Sequence, residues 1–196
     1  YLVHRIPYPP NKGDKIRSYH LLRYLSERYH VHLGTFIDDP NDWQYVDAVK
    51  TLCASTHFAT LDPKIARIKS LRGFLSGQAL SLAYYRDAGM QSWVASTRTN
   101  HPIDRVLVFS SAMAQFAMPV PAARRVIDFV DVDSDKWRQY AENKSFPMSA
   151  VYARESRKLL RYDQEVSAAL DASLFLSPAE ADLFRKLASE VANNTG

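Results

Sequence analysis

Two segments of the sequence concentrate residue types that can bind phosphate or carry out acid–base chemistry. The first is IPYPPNKGDKIR at 6–17, and the second is IDFVDVDSDKW at 127–137, which contains four aspartates. Glycine lets a ligand approach the backbone closely, and the free N–H groups at a helix start attract phosphate. Carboxylates accept hydrogen bonds from sugar hydroxyls, act as bases or bind a cation. The sequence therefore predicts a phosphate-binding loop and a separate carboxylate cluster.

In the first segment, Gly13 is the position at which we expect a phosphate to approach the backbone. Lys12 precedes it, and Arg17, one helical turn later, could form a bidentate contact with a phosphate or carboxylate. The segment has one glycine and matches neither G-x-G-x-x-G nor G-x-x-x-x-G-K-[ST], which disfavours dinucleotide and P-loop sites. The alternative is a surface turn shaped by its prolines and glycine, with Arg17 on a solvated helix face.

The second segment places Asp131 and Asp133 in a D-x-D arrangement, and these two are the candidate catalytic carboxylates. Two carboxylates alone make a poor cage for a cation, so we expect no metal site. A capping or loop-ordering role is the alternative for one or two of the four, and we expect it for Asp135.

Other polar residues give weaker signals. Ser110 and Ser111 lack the G-x-S-x-G context of a nucleophile elbow and are interpreted as hydroxyls lining an acceptor cleft, or as helix caps. The six histidines show no metal-binding spacing, and His4 is notable only because it precedes the glycine loop.

The segment DPKIARIKSLRGFLSG at 62–77 interleaves apolar residues with Lys64, Arg67, Lys69 and Arg72. A basic amphipathic helix of this kind can lie on a surface of anionic lipid. The alternative is an ordinary helix packed on a sheet, with a basic outer face.

Apolar runs that alternate with helical patterns are typical of a parallel sheet covered by helices. Such open, doubly wound sheets bind ligands beyond the carboxyl ends of their strands. We therefore expect one Rossmann-like α/β domain over 1–196. A first helix should follow Gly13, and the start signal Ser177-Pro178 should open the last one. The predicted strands are 1–5, 31–36, 56–60, 105–109, 126–130 and 173–176, and the further predicted helices are 42–53, 63–76, 87–99, 151–170 and 178–189.

Composition excludes several classes of protein. The 196 residues contain no apolar run of the roughly 20 residues that span a bilayer. The single cysteine, Cys53, permits no internal disulfide, which suits a reducing, cytoplasmic compartment. The net charge of +4 is mild, and we expect no nucleic-acid partner.

The opening YLVHRIPYPPNKGDKIRSYHLLRYL, together with RVIDFVDVDSDKWRQYA and DASLFLSPAEADLFRKL, resembles GT-B retaining glycosyltransferases of family 4. The likeness is greatest to the sugar transferases of PEP-CTERM/exosortase exopolysaccharide systems. It implies that 1–196 is the N-terminal, acceptor-side half of a two-domain enzyme whose donor-binding C-terminal domain lies outside this chain.

The resemblance also implies roles for individual residues. Gly13 would donate its backbone N–H to the diphosphate of a nucleoside diphosphate sugar, the co-substrate, and Arg17 would face the cleft. Asp14 stands where many relatives have a second glycine, so its carboxylate would have to point away from the diphosphate. Ser110 and Ser111 replace a histidine that some relatives carry, which favours the aspartates after the fifth strand as catalytic residues.

The resemblance thus implies transfer of a sugar, with retention, to a glycan or lipid-linked acceptor, without a cofactor. We expect it at the cytoplasmic membrane face, with peripheral contact to anionic lipid, and we expect the 196 residues alone to be inactive. The alternatives are a non-catalytic module that binds a phosphorylated ligand and a nucleotide-sugar epimerase.

Overall fold

A parallel sheet of six strands forms the centre of the computed structural model, which describes residues 1–119 and 124–193. The strand order is β3-β2-β1-β4-β5-β6, and every pair of neighbours is parallel. The predicted Rossmann-like, doubly wound α/β fold is therefore confirmed. The strands are β1 (Leu2–Val3), β2 (His32–Ile37), β3 (Ser55–Thr60), β4 (Arg105–Phe109), β5 (Arg124–Val130) and β6 (Ala172–Phe175).

Helices connect the strands and cover both faces of the sheet. In addition to the α-helices, short 3-10 helices occupy Pro40–Tyr45 and Ser111–Met113. The α-helices are α1 (Gly13–Ser26), α2 (Val46–Lys50), α3 (Pro63–Ser70), α4 (Arg72–Ser76), α5 (Leu80–Tyr84), α6 (Ala88–Asn100), α7 (Ala114–Ala117), α8 (Asp133–Glu142), α9 (Met148–Ala169) and α10 (Pro178–Asn193).

Most predicted elements are present with shifted ends. The first strand has two residues where five were expected, and α5, α7 and α8 were not predicted. The expected start of α10 is confirmed, since Ser177 Oγ accepts a hydrogen bond from the Glu180 N–H at 3.2 Å. The Glu180 carboxylate does not complete a capping box. It accepts from the Val132 N–H at 2.9 Å and so joins α10 to the start of α8.

Alternation along the central strands divides the core between the two faces of the sheet. Leu2 and Val108 pack with Met90 of α6, whereas Val3 and Phe109 pack on the other face with residues of α1 and α2. Successive side chains of a strand point to opposite faces, so a strand buried on both sides is apolar throughout. This explains why the central strands are short, continuous apolar runs.

The strand order reverses at β1. The chain builds β1, β2 and β3 in one direction and then crosses to the other side of β1 to build β4, β5 and β6. In open sheets of this kind a crevice forms at the carboxyl ends of the two strands that flank the reversal, because their connections lead to opposite faces. Here these strands are β1 and β4, so the residues that follow them line the crevice.

Candidate functional site

The loop after β1 leads directly into α1, whose first residue is Gly13. Lys12 is the N-cap residue, and its side chain makes no capping hydrogen bond. Gly13 is exposed, and a Cβ added there would meet no atom within 4 Å. Neither crowding nor a positive φ requires glycine at this position. The helix start therefore presents N–H groups, and its partial positive charge, to an open space.

The cations of α1 divide between structural and available groups. Lys15 is buried, and its Nζ lies 2.6 Å from Asp42 Oδ2, which ties α1 to the 3-10 helix after β2. Arg17 donates from Nε to Asp128 Oδ2 at 2.7 Å. Among the described residues Asp128 is its only hydrogen-bond partner, so the predicted role of Arg17 at a phosphate competes with this ion pair. Lys12 is exposed and forms no ion pair within the described part of the chain.

Arg5 forms the ionic centre of the crevice. It donates to Asp38, which directly follows β2, from Nε at 3.0 Å and from Nη2 at 2.7 Å. Its Nη1 also donates to Asp14 Oδ2 at 3.2 Å, and His4 Nε2 lies 3.4 Å from the same oxygen. The hydrogen bond from His4 and the charge of Arg5 hold the pKa of Asp14 well below its usual range. The Asp14 carboxylate is thus held by groups of β1 and its loop, although it directly follows Gly13.

Aromatic rings enclose His4. Its ring stacks on Phe109, with centroids 5.9 Å apart, and meets the edge of Tyr85 at 6.2 Å. His4 Nδ1 is buried and has no hydrogen-bond partner among the described residues. Buried polar atoms are rarely left unpaired in folded proteins, so this nitrogen is an unusual feature of the crevice.

The aspartates that surround the end of β5 occupy different environments. Asp128 is 1% exposed, and besides the bond from Arg17 it accepts one from the Val130 N–H at 3.0 Å. Asp135 is also buried, and its carboxylate accepts a hydrogen bond from Arg138 Nε at 2.7 Å. This contact agrees with the ordering role expected for Asp135. The residue lies within α8, however, and is not the N-cap of that helix. Both of these carboxylates are therefore structural.

The two predicted catalytic aspartates also differ. Asp131 is exposed, and no hydrogen bond or ion pair of its side chain is found among the described residues. Asp133 is the first residue of α8, and its pKa is raised, mainly because partial burial disfavours its charged form, although 45% of its side chain is exposed and Lys136 Nζ lies 3.9 Å from its Oδ1. The charge of Asp131 adds to this rise, whereas those of Lys136 and His4 oppose it. Of the two candidate catalytic aspartates, Asp133 is the one with a perturbed pKa, and the charge of His4 at the crevice acts on it.

The two serines after β4 have separate roles. Ser110 is partly exposed and has a φ of 81°, a left-handed value that is uncommon outside glycine. Ser111 is buried, and its Oγ donates to the buried Asp163 of α9. Burial raises the pKa of Asp163 well above its usual value. The expectation that Ser111 lines the acceptor cleft is thus wrong for geometric reasons, because its hydroxyl faces the interior.

Backbone strain also occurs at the carboxyl end of β5, the strand that pairs with β4. Val130, the last residue of β5, has a φ of 68°. A β-branched residue in this region is a genuine outlier, and such strain persists where the surroundings enforce it. Within the described ranges, Ser110 and Val130 are the non-glycine residues with positive φ, and both end strands at the crevice.

A second opening lies at the amino edge of the sheet. It is a cavity of about 640 Å³, and its lining includes Tyr1, Trp93 and His101. Three arginines line it, and one of them, Arg105, donates from Nη1 to Tyr29 OH at 2.5 Å. Parallel sheets bind ligands at the opposite edge, where the strained residues and the acidic cluster occur. We therefore assign the candidate site to the carboxyl edge.

The site was predicted in part. Asp14 of the glycine loop lies 3.4 Å from His4, and the charge of His4 also acts on Asp133. Arg5, Asp38 and Tyr85 were not among the candidates. Arg5 is the last residue of the first predicted strand, so its position in sequence was a usable signal, whereas no pattern marks Tyr85. Over 1–119 and 124–193, no group of three or more histidine, cysteine, aspartate or glutamate side chains is arranged to hold a metal ion.

Comparisons with known proteins add no assignment. The chain matches no family model, no curated protein and no solved structure. The proposals below therefore depend on the fold, on the geometry of the site and on the resemblance of the sequence described above.

Proposed function

We propose that this chain is the acceptor-side domain of a retaining glycosyltransferase. The enzyme would move a sugar from a nucleoside diphosphate sugar to a glycan or lipid-linked acceptor in exopolysaccharide assembly, at the cytoplasmic face of the membrane. The resemblance of the sequence to GT-B enzymes of family 4 suggests this activity. The observation that carries it is the crevice at the strand reversal, where the uncapped start of α1 at Gly13 lies open beside the group of His4, Arg5 and Asp14.

The start of α1 suits the leaving group of such a reaction. Sugar transfer breaks the bond between the anomeric carbon and the diphosphate oxygen, so negative charge develops on the diphosphate. Fixed N–H groups aimed at a developing anion are among the strongest sources of catalysis. The backbone N–H groups at Gly13 and the exposed cation of Lys12 supply such a surface.

Asp133 suits the acceptor side. The acceptor hydroxyl forms the new bond to the anomeric carbon and must lose its proton, which an ionised carboxylate can accept. The pKa of Asp133 is raised, which makes it a better base than an ordinary aspartate. Asp131 shares its segment but is exposed and makes no side-chain contact among the described residues, so we assign the proton transfer to Asp133 alone.

The test uses the full-length protein encoded by the continuous reading frame and a panel of nucleoside diphosphate sugars. Release of nucleoside diphosphate is measured with and without acceptor extract. We expect release that depends on acceptor, and a loss on the order of 10²-fold for Gly13→Val, because the added side chain blocks the approach of the diphosphate. The control, Ala48→Val, creates the same β-branched side chain on the exposed face of α2 and should retain activity.

A second pair of variants tests the assignment of the base. Asp133→Asn should reduce transfer by about 10²-fold or more, whereas Asp131→Asn should leave it within about a factor of two. A folded Gly13→Val enzyme with unchanged transfer would exclude the phosphate role of the loop. Ligand binding without turnover would instead identify a binding module, and an altered sugar without acceptor would identify an epimerase.

A further inference from the structure

Helices α3 and α4 form an almost continuous arm over 63–76. Leu71, which joins them, has helical backbone angles, and no acidic residue occurs in this range. The residues of the arm that face the protein are small, namely Ala66, Ser70 and Gly73. A Cβ on Gly73 would lie 3.1 Å from Leu80 Cδ2 and 3.3 Å from the Ala79 carbonyl oxygen. The arm thus packs closely on the start of α5 through its smallest side chains.

The large apolar residues of the arm face outward. Ile68 is 71% exposed and Leu75 is 92% exposed, and Ile65, Leu71 and Phe74 are exposed as well. A helix packed on a sheet ordinarily turns its large apolar residues inward, so this arrangement is reversed. Contiguous exposed apolar patches commonly mark an interaction site.

Four cations accompany this apolar stripe. At about 100° per residue, Lys64, Arg67 and Arg72 fall among the exposed apolar residues, and Lys69 lies at one edge of them. All four are exposed and form no ion pair in the described part of the chain. Long basic side chains can reach a polar boundary while their stems cover apolar surface. We call these four cations and the five exposed apolar residues Ile65, Ile68, Leu71, Phe74 and Leu75 the α3/α4 surface.

We propose that the α3/α4 surface docks on an anionic lipid bilayer, with its apolar side chains at the boundary between headgroups and acyl chains. The charge of the surface selects this occupant, because four unpaired cations complement anionic headgroups. A second copy of the chain fits poorly, since a symmetric contact through this face would oppose the same cations. A protein partner would have to cover the apolar stripe and also neutralise the cations that lie among its apolar side chains.

The position of the surface relates docking to the candidate site. The arm packs on α5, and α5 ends at Tyr84. Tyr84 lies against Tyr85, with ring centroids 4.9 Å apart, and Tyr85 contacts His4 in the crevice. Docking would therefore hold the crevice beside the lipid surface, where a lipid-linked acceptor would be presented. The docking itself does not depend on the proposed transferase activity.

The experiment is flotation of the full chain with phosphatidylcholine vesicles, with and without phosphatidylglycerol. We expect the protein to float with the anionic vesicles alone and to be released by high salt. The quadruple variant Lys64→Gln, Arg67→Gln, Lys69→Gln, Arg72→Gln should bind at least about tenfold more weakly. Its matched control replaces four exposed cations elsewhere and should float like the wild type; it is Arg23→Gln, Arg98→Gln, Arg161→Gln, Lys186→Gln.

A second variant separates insertion from simple charge attraction. Ile68→Ser with Leu75→Ser retains all four cations and should also lose at least about tenfold in binding, because the apolar contribution is removed. Both side chains are largely exposed, so circular dichroism should show an unchanged fold.

Several outcomes would overturn the proposal. These are a wild-type chain that does not float, equal binding by both quadruple variants, or a double serine variant that binds like the wild type. A concentration-dependent dimer abolished by Ile68→Ser with Leu75→Ser, without vesicle binding, would instead identify an interface between copies. Because flotation requires no donor or acceptor, its failure would leave the transferase assay unaffected.

Discussion

Replacement of Arg17 by methionine tests whether its ion pair with Asp128 stabilises the base of the crevice. The Arg17 Nε lies 2.7 Å from Asp128 Oδ2. The two residues are 111 positions apart in the sequence, and their ion pair joins α1 to β5. Methionine retains an apolar stem but removes the donor. Asp128 would then remain buried with one hydrogen bond among the described residues, from the Val130 N–H.

The expected magnitude follows from burial of the two partners. Removal of one partner of a fully buried ion pair costs about 3–5 kcal/mol. The Asp128 side chain is 1% exposed, but that of Arg17 is 32% exposed, so water already screens part of the interaction. We therefore expect a loss of about 2–3 kcal/mol in the free energy of unfolding. For a chain of this length, that corresponds to a fall of roughly 4–12 °C in the thermal midpoint.

Urea unfolding followed by circular dichroism measures this loss, with Asp128→Asn and the double variant completing a mutant cycle. The loss of unfolding free energy in the double variant should be smaller than the sum of the two single losses by at least about 1 kcal/mol. The reason is that the neutral amide introduced by Asp128→Asn does not need the cation that Arg17→Met removes. The control Arg98→Met removes an exposed arginine and should change stability by less than about 0.5 kcal/mol. An Arg17→Met loss no larger than this control, or an additive cycle, would refute a structural role for Arg17.

Three further predictions concern other parts of the molecule. Gly34→Ala should cost about 1–3 kcal/mol in urea unfolding, since its Cβ would lie 2.8 Å from Met90 Sδ; Gly13→Ala, which meets nothing, is the control. Asp14→Asn should destabilise the chain at neutral pH, and this loss should shrink progressively as pH falls below about 4, because the stabilisation from the lowered pKa of Asp14 is complete above the usual value near 3.9 and disappears only as pH falls through its lower value in the folded chain. Burial raises the pKa of the Cys53 thiol to about 11. Native Cys53 should therefore react with thiol reagents at about pH 8 at least tenfold more slowly than the urea-unfolded chain, and equal rates would contradict this.

The fold could be predicted because its signals are local. The alternation of short apolar runs with helical patterns identified all six strands, and Ser177 followed by Pro178 marked the start of α10. Helix α8 was missed because its first turn carries Asp133 and Asp135, acidic residues that are as common in loops as at helix starts. Its position depends on contacts with α9, which follows it in the chain and which the sequence pattern does not specify.

The site was harder to predict because its contacts are long-range. Arg5 meets Asp38 across 33 residues, and no local pattern pairs them. Ser110 and Ser111 are identical and adjacent, yet one lies at the crevice and the other in the interior. This difference depends on a backbone angle at Ser110 that the sequence does not disclose.

The positive φ angles of Ser110 and Val130 have a consequence for how the protein could change. Each conformation costs about 1–3 kcal/mol in a residue other than glycine, so glycine at either position would relax the backbone. Stabilising substitutions are thus open to this chain at the crevice, where they carry the recurrent cost of altered activity. At the end of β5 the strained backbone and the packing of the Val130 side chain on the core oppose each other, so the stability of Val130→Gly measures the balance between them.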